Sequence, residues 1–167
     1  MKTSYKLTLC AILSALATLS FVIESLFPPF VLPGARMGIS NIFILITAVL
    51  LGWKYSLITL TVKVLLGSLF AGNFSAILYS LPAGLLSLSI ELLLLYFANK
   101  VSIVCISVSG AVINITAQNL IFCLITGTPE YLSYLPYLAL TGIFAGLTVG
   151  FATYLILKKI VKIKKKA

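Results

Sequence analysis

Glu24-Ser25-Leu26-Phe27-Pro28-Pro29-Phe30-Val31-Leu32-Pro33-Gly34-Ala35-Arg36-Met37-Gly38-Ile39-Ser40-Asn41 separates two long apolar runs, and its reading decides the fold. It holds three of the six prolines, two of the eleven glycines, one of the three acidic residues and the single arginine, Arg36. A proline offers no backbone donor and pushes the residue before it out of helical geometry, so no straight helix passes through here. At membrane depth, backbone that is not helical is tolerated only where protein buries it or where it lines a cavity. The stretch therefore reads either as the lip of a binding cavity or as an ordinary surface loop between two spans.

Working outward, the 167 residues are 61% hydrophobic and 9% charged, with a mean hydropathy of +1.19. A soluble domain carries about 25% charged residues. So little charge cannot coat a water-facing surface, and the chain reads as an all-α integral membrane protein. At about 20 apolar residues per span, it has room for five or six helices and no separate soluble domain. A barrel would alternate apolar and polar residues over segments of about ten; here the apolar runs are continuous. Residues 1–167 thus form a single transmembrane domain.

Net charge is +9, and six of the twelve cations lie between Lys158 and Lys166, directly after an apolar run. A lysine cluster in that position favours the cytoplasmic face and anionic lipid rather than nucleic acid. Cys10, Cys105 and Cys123 all fall inside apolar runs. There is no CxxC spacing and no histidine, so the cysteines read as small buried hydrophobes and no metal site is expected. Lys2 and Lys6 precede an apolar run that continues to Phe27 without a small-residue cleavage site, which reads as a retained first span rather than a signal peptide.

Six spans are predicted, over approximately residues 7–26, 39–51, 55–70, 75–97, 103–125 and 138–157, with a basic cytoplasmic tail over 158–167. The first has Ala11 and Ala15 one turn apart, a small-residue face that lets another helix come close. Glu24 near its end should face a cavity, a cation or the interface. The second is too short to cross upright and ends at Gly52-Trp53-Lys54. The third carries Lys63 near its middle, where a lysine costs about 2.5–3.5 kcal/mol on insertion scales. Lys63 either snorkels along its stem or faces the bundle interior toward an anion, Glu24 or Glu91. Leu81-Pro82-Ala83-Gly84 is expected to interrupt and kink the fourth span. In the fifth, Asn114 and Gln118 share a face, either to hold helices together or to read a polar ligand. Tyr131, Tyr134 and Tyr137 around Pro136 suit an aromatic belt or a cap over a pocket. Gly142, Gly146 and Gly150 form a four-residue ladder, a strong close-packing signal.

With the N-terminus inside and six spans, Lys2, Lys6, Lys54, Lys100 and the tail fall on the cytoplasmic side, leaving Arg36 and Glu130 outside. Both termini are then cytoplasmic in a multi-pass protein of the cell membrane. The proline-rich stretch, the Gly72-Asn73 turn and the tyrosine loop meet on the outer face as one mouth. The candidate substrate-binding residues are Glu24, Arg36, Asn41, Lys63, Asn73, Asn114 and Gln118. Arg36 and Lys63 favour an anionic or carbonyl-rich group; the aromatic residues suit a flat or greasy body.

These residues carry a resemblance to the Gx transporter family, also labelled heptaprenyl diphosphate synthase component I. It rests on Glu24-Ser25-Leu26 followed by Pro33 to Asn41, on Val64-Leu65-Leu66-Gly67-Ser68-Leu69-Phe70-Ala71-Gly72, and on Ser109-Gly110-Ala111-Val112-Ile113-Asn114 with Gln118. The family often has a histidine before that asparagine; Ile113 stands there, so any role of that histidine is absent. The family is in turn similar to the substrate-binding S components of energy-coupling factor transporters. The resemblance implies a six-transmembrane-helix bundle that binds a vitamin- or cofactor-like ligand at its outer face. It also implies a shared transmembrane partner and two ATPases, with Ala11 and Ala15 as the partner-helix contact.

Three functions follow as expectations. The first is the substrate-binding subunit of a small-molecule transporter. The chain has no GxxxxGK[ST] loop, so partner subunits would hydrolyse ATP. The second is a membrane component of heptaprenyl diphosphate or quinone synthesis. Prenyl transfer needs clustered carboxylates to hold magnesium on a diphosphate, and Glu24, Glu91 and Glu130 are far apart in sequence. No enzyme activity, catalytic residue or cofactor is therefore expected of this chain alone. The third is a scaffold for electron-transfer enzymes.

Overall fold

The computed structural model describes residues 3–26, 38–98 and 101–164, with side chains followed to 160. The described residues form six α-helices and no strand: α1 (Thr3–Leu26), α2 (Ser40–Leu51), α3 (Trp53–Phe70), α4 (Ser75–Phe97), α5 (Ile103–Thr126) and α6 (Leu135–Lys164), with a short 3-10 helix, Pro129–Tyr134, ahead of α6. Among the described residues, four segments are long and apolar enough to cross a membrane: Thr3–Leu26, Ser75–Phe97, Ile103–Thr126 and Pro129–Ile160. At 1.5 Å per residue, α2 reaches only about 18 Å, short of a hydrocarbon core of about 30 Å. Most of the proline-rich stretch, Arg36 included, lies outside the described residues.

Local chemistry sets the boundaries. Gly52, with φ 93°, separates α2 from α3 in a backbone conformation that favours glycine. The Ser102 hydroxyl accepts the Cys105 N–H at 3.3 Å and starts α5, and Gly127 in left-handed geometry ends it. Pro136 falls in the first turn of α6, where a missing N–H is harmless.

Three expectations are corrected. Pro82 does not interrupt its span: α4 is helical from Ser75 to Phe97. The tyrosine loop is partly helical, because Pro129 opens a 3-10 turn that leads into α6. The outer helices also overrun their apolar segments, α1 beginning at Thr3 and α6 running on to Lys164, since lysine, serine and threonine continue a helix beyond an apolar run.

The packing departs from that of a water-soluble domain mainly at the surface. Large apolar side chains point outward on every helix, among them Leu19, Leu78, Leu124 and Phe144. Ser40, Thr47, Ser56, Thr59, Ser68, Ser107 and Thr153 are almost completely buried. Lipid solvates leucine as well as a core does, so small hydroxyl residues take the interior and let helices approach. Ser14 donates to Thr59 between α1 and α3 at 3.1 Å, and Ser87 donates to the Gly110 carbonyl between α4 and α5 at 2.9 Å. An apolar knot of Ile44, Leu60, Val64 and Leu88 joins α2, α3 and α4.

The closest helix pair is α5 with α6. A Cβ built at Gly142, Gly146 or Gly150 would stand 3.2, 2.5 or 2.8 Å from the Cα of Val112, Val108 or Val104. The ladder read from sequence therefore presses one helix backbone onto another, and Ser107 fastens it by donating to the Gly146 carbonyl at 2.9 Å.

Asn73 is exposed at the start of α4, where its side-chain oxygen accepts the Ala76 N–H at 3.2 Å. Replacing a capping residue by alanine costs about 1 kcal/mol. Asn73→Ala should lower the melting temperature in detergent modestly and leave any bound ligand in place; loss of ligand with unchanged melting would assign Asn73 to binding instead.

Candidate functional site

Two neighbouring cavities lie among the helices. The inner one, of about 60 Å³, gathers charged and amide side chains among apolar ones and draws residues from all six helices. The outer one, of about 210 Å³, is lined by Tyr79, Ile115, Gln118, Asn119, Phe122, Tyr131 and Leu138. Gln118 and Ile115 belong to both walls.

The inner cavity follows from helical periodicity. On α4 its wall is Ser80, Gly84, Ser87, Leu88 and Glu91; on α5 it is Ser107, Ala111, Asn114, Ile115 and Gln118. Both sets repeat at steps of four, three, one and three, the signature of one helix face. Each set covers about 16 Å of helix axis. A water needs about 10–15 Å³ measured this way, so the inner chamber holds a few waters or the polar end of a small molecule.

At the end nearest the proline-rich stretch, Glu24 reaches from α1 to the start of α2 and accepts the Ser40 N–H at 3.1 Å. A carboxylate suits the positive end of a helix dipole, which holds Glu24 at the rim rather than in lipid. Below it, the Lys63 ammonium donates to the Asn41 side-chain oxygen at 2.6 Å and lies 5.8 Å from the Phe21 ring centre. Lys63 is 7% exposed, so it faces the bundle interior rather than snorkelling outward. Gly67 makes this possible: a Cβ there would come within 2.5 Å of the Phe21 ring. The missing side chain admits the ring, and the ring supports the cation.

Deeper, the Gln118 amide donates to Ser80 at 2.9 Å, linking α5 to α4. Asn114 lies one turn away on the same wall, and its side chain makes no hydrogen bond to a described residue. Glu91 lies at the far end of the α4 wall and is 8% exposed. Gly110 faces it, and a Cβ at that position would collide with the carboxylate. In the outer cavity, Tyr79, Phe122 and Tyr131 form an edge-to-face series, with ring centres 5.7 and 5.6 Å apart.

Five of the seven candidate residues, Glu24, Asn41, Lys63, Asn114 and Gln118, thus line one cavity. Asn73 lines neither and instead caps α4. Arg36 lies outside the described residues. Ala11 and Ala15 are exposed on the outer side of α1, away from both cavities. Sequence reasoning did not place Ser80, Ser87, Glu91 or Tyr79 in the site. The signal was available: Ser80, Ser87 and Glu91 stand seven and four apart, on one face of a leucine-rich helix.

Helices apolar on the outside, with one cation, two carboxylates and three amides around an interior cavity, define a membrane protein whose internal chamber carries charged and polar groups. The pattern of the family described as heptaprenyl diphosphate synthase component I matches residues 13–156, and the chain belongs to that family. No curated protein and no solved structure shows a significant match to it.

Proposed function

We propose that this chain is the substrate-binding membrane subunit of a transporter for a small vitamin- or cofactor-like molecule, energised by partner ATPase subunits. The observation that carries the reading is the pair of adjoining cavities. The inner one offers a fixed ammonium, carboxylates and amides, and the outer one offers three aromatic rings. Ligand sites commonly combine an apolar body with a few convergent polar groups. The arrangement suits a flat molecule whose polar end reaches inward past Gln118.

The topology belongs to the same reading. On this reading all six helices, α2 and α3 being the shorter ones, lie in the membrane as the helices of an energy-coupling factor S component do. Lys54, Lys158 and Lys159 stand at one end of their helices, which supports cytoplasmic termini in the cell membrane. The exposed Ala11 and Ala15 face offers a close-approach surface to a transmembrane partner.

The family description favours a second reading, in which the chain accompanies heptaprenyl diphosphate or quinone synthesis as a membrane component or scaffold. Glu24 and Glu91 line the inner cavity, and Glu130 is exposed on the 3-10 helix. Such a spread does not suit a magnesium–diphosphate centre, so the purified chain is expected to form no prenyl product.

Native mass spectrometry of the detergent-purified chain tests the leading reading. The expected result is a bound small molecule, and affinity capture from membranes should recover a transmembrane partner with ATPases. An empty protein that recovers no such partner would leave the scaffold reading as the better one.

A further inference from the structure

The outer cavity is built from neutral side chains alone. Ile115, Gln118, Asn119 and Phe122 line it from α5 at steps of three, one and three, which is one face of the helix. Tyr79 closes it from α4, Tyr131 from the 3-10 helix and Leu138 from α6. None of these seven described residues carries a charge, whereas the adjoining inner chamber holds Lys63, Glu24 and Glu91. Aromatic surface and charge thus occupy separate compartments that share only Ile115 and Gln118.

The two volumes set what each compartment can take. A cavity of about 150 Å³ accommodates a benzene ring. At about 210 Å³, the outer cavity takes one ring or two fused rings, and not three. At about 60 Å³, the inner chamber is too small for any ring. A ring seated against Tyr79, Phe122 and Tyr131 therefore stops at Gln118, and only a narrow substituent passes inward toward Lys63. The wall it stops against offers both kinds of hydrogen-bonding group. Ser80 takes one N–H of Gln118 at 2.9 Å, which leaves the carbonyl oxygen and the second N–H. The Asn119 side-chain oxygen accepts the Cys123 thiol at 3.6 Å, which leaves its two N–H groups. A charged ring would surrender its water to a wall that holds no ion of opposite sign. Aromatic faces do attract cations, so a cationic ring belongs among the probes.

We infer that the body of the captured molecule is an uncharged aromatic compound of one or two fused rings, held wholly in the outer cavity, whose edge carries adjacent N–H and C=O groups read by Gln118. Gln118 is then a specificity-determining residue: Ser80 fixes its amide at the boundary between the compartments, and the amide pairs with a lactam-type edge. Three fused rings do not fit, and a ring with a fixed charge is rejected. This assignment rests on the capture reading given above and narrows its substrate class.

The test uses four flat probes on the detergent-purified full chain, in equilibrium dialysis against matched empty micelles. Isoquinolinone has two rings and a lactam edge. Phenanthridinone keeps the edge and adds a third ring, N-methylisoquinolinium carries a fixed charge, and naphthalene has no polar edge. Isoquinolinone should bind best. The third ring should weaken binding about tenfold or more, the penalty of an overfilled cavity. The fixed charge should weaken it at least as much. Gln118→Leu should reduce isoquinolinone affinity about two- to tenfold, the loss of a neutral hydrogen bond, and leave naphthalene unchanged. A melting curve without probe shows whether the variant folds, and the comparison of probes on the unaltered chain stands whether or not it does. Equal affinity for phenanthridinone or N-methylisoquinolinium, binding of no probe, or a preference for isoquinolinone over naphthalene that survives in a folded Gln118→Leu protein overturns the inference. Native mass spectrometry of the same preparation separates the two failures. A copurified compound with three fused rings or a charged ring sinks only this ligand class, whereas a protein that carries nothing also counts against capture.

Discussion

Gly146→Val should abolish recovery of the folded protein, or lower its melting temperature more than any other single change considered. Even the first carbon of the new side chain falls 2.5 Å from the Val108 Cα and 3.0 Å from the Ser107 carbonyl oxygen. The obstacle is backbone, which cannot rotate aside as a side chain would. Overpacking of a tight core costs about 1–3 kcal/mol and occasionally more, and here two helices must separate along a shared seam. Separation would also break the Ser107 bond to the Gly146 carbonyl, itself worth about 1 kcal/mol. Gly146→Ala should show a smaller loss in the same direction. Thermal melting followed by size-exclusion chromatography checks both. A valine variant that melts like wild type would mean that α5 and α6 are not in backbone contact.

Lys63→Met is the second large effect, and it separates binding from stability. Methionine keeps much of the stem and removes the charge. The variant should lose the bound molecule by about ten- to hundredfold, since a hydrogen bond from a charged group contributes about 1.5–3 kcal/mol. Its ligand-free melting temperature should fall only modestly, because the Asn41 oxygen loses its donor while the cost of burying a charge is removed at the same time. Native mass spectrometry reads the first quantity and a melting curve the second. Full ligand retention would remove Lys63 from the site, and a steep fall in stability would make its bond to Asn41 a structural tie instead.

Some of this was legible in the sequence for identifiable reasons. The α2, α4 and α5 boundaries came within a residue or so because Gly52, the Gly72-Asn73 turn and Gly127 punctuate apolar runs sharply. The glycine ladder was legible because its spacing matches the helix repeat. Pro82 misled because a proline inside a membrane helix removes one bond without ending the helix. The inner cavity was half visible. Lys63, Asn114 and Gln118 stand out as rare polar residues in apolar runs, and all three line it. Ser80 and Ser87 did not stand out, because serine is common in such helices and only the shared face with Glu91 distinguishes them. Asn73 attracted a binding role that its position explains more simply, since an asparagine three residues ahead of a helix N–H is a cap.

The seam between α5 and α6 also bears on how a molecule could enter. Two rods whose main chains touch at three successive turns cannot slide past one another without steric collision. They behave as a rigid post that carries Asn114 and Gln118. On the capture reading proposed above, any movement that admits a guest is then expected among the remaining helices, including α1 and α3, where Glu24 and Lys63 are mounted.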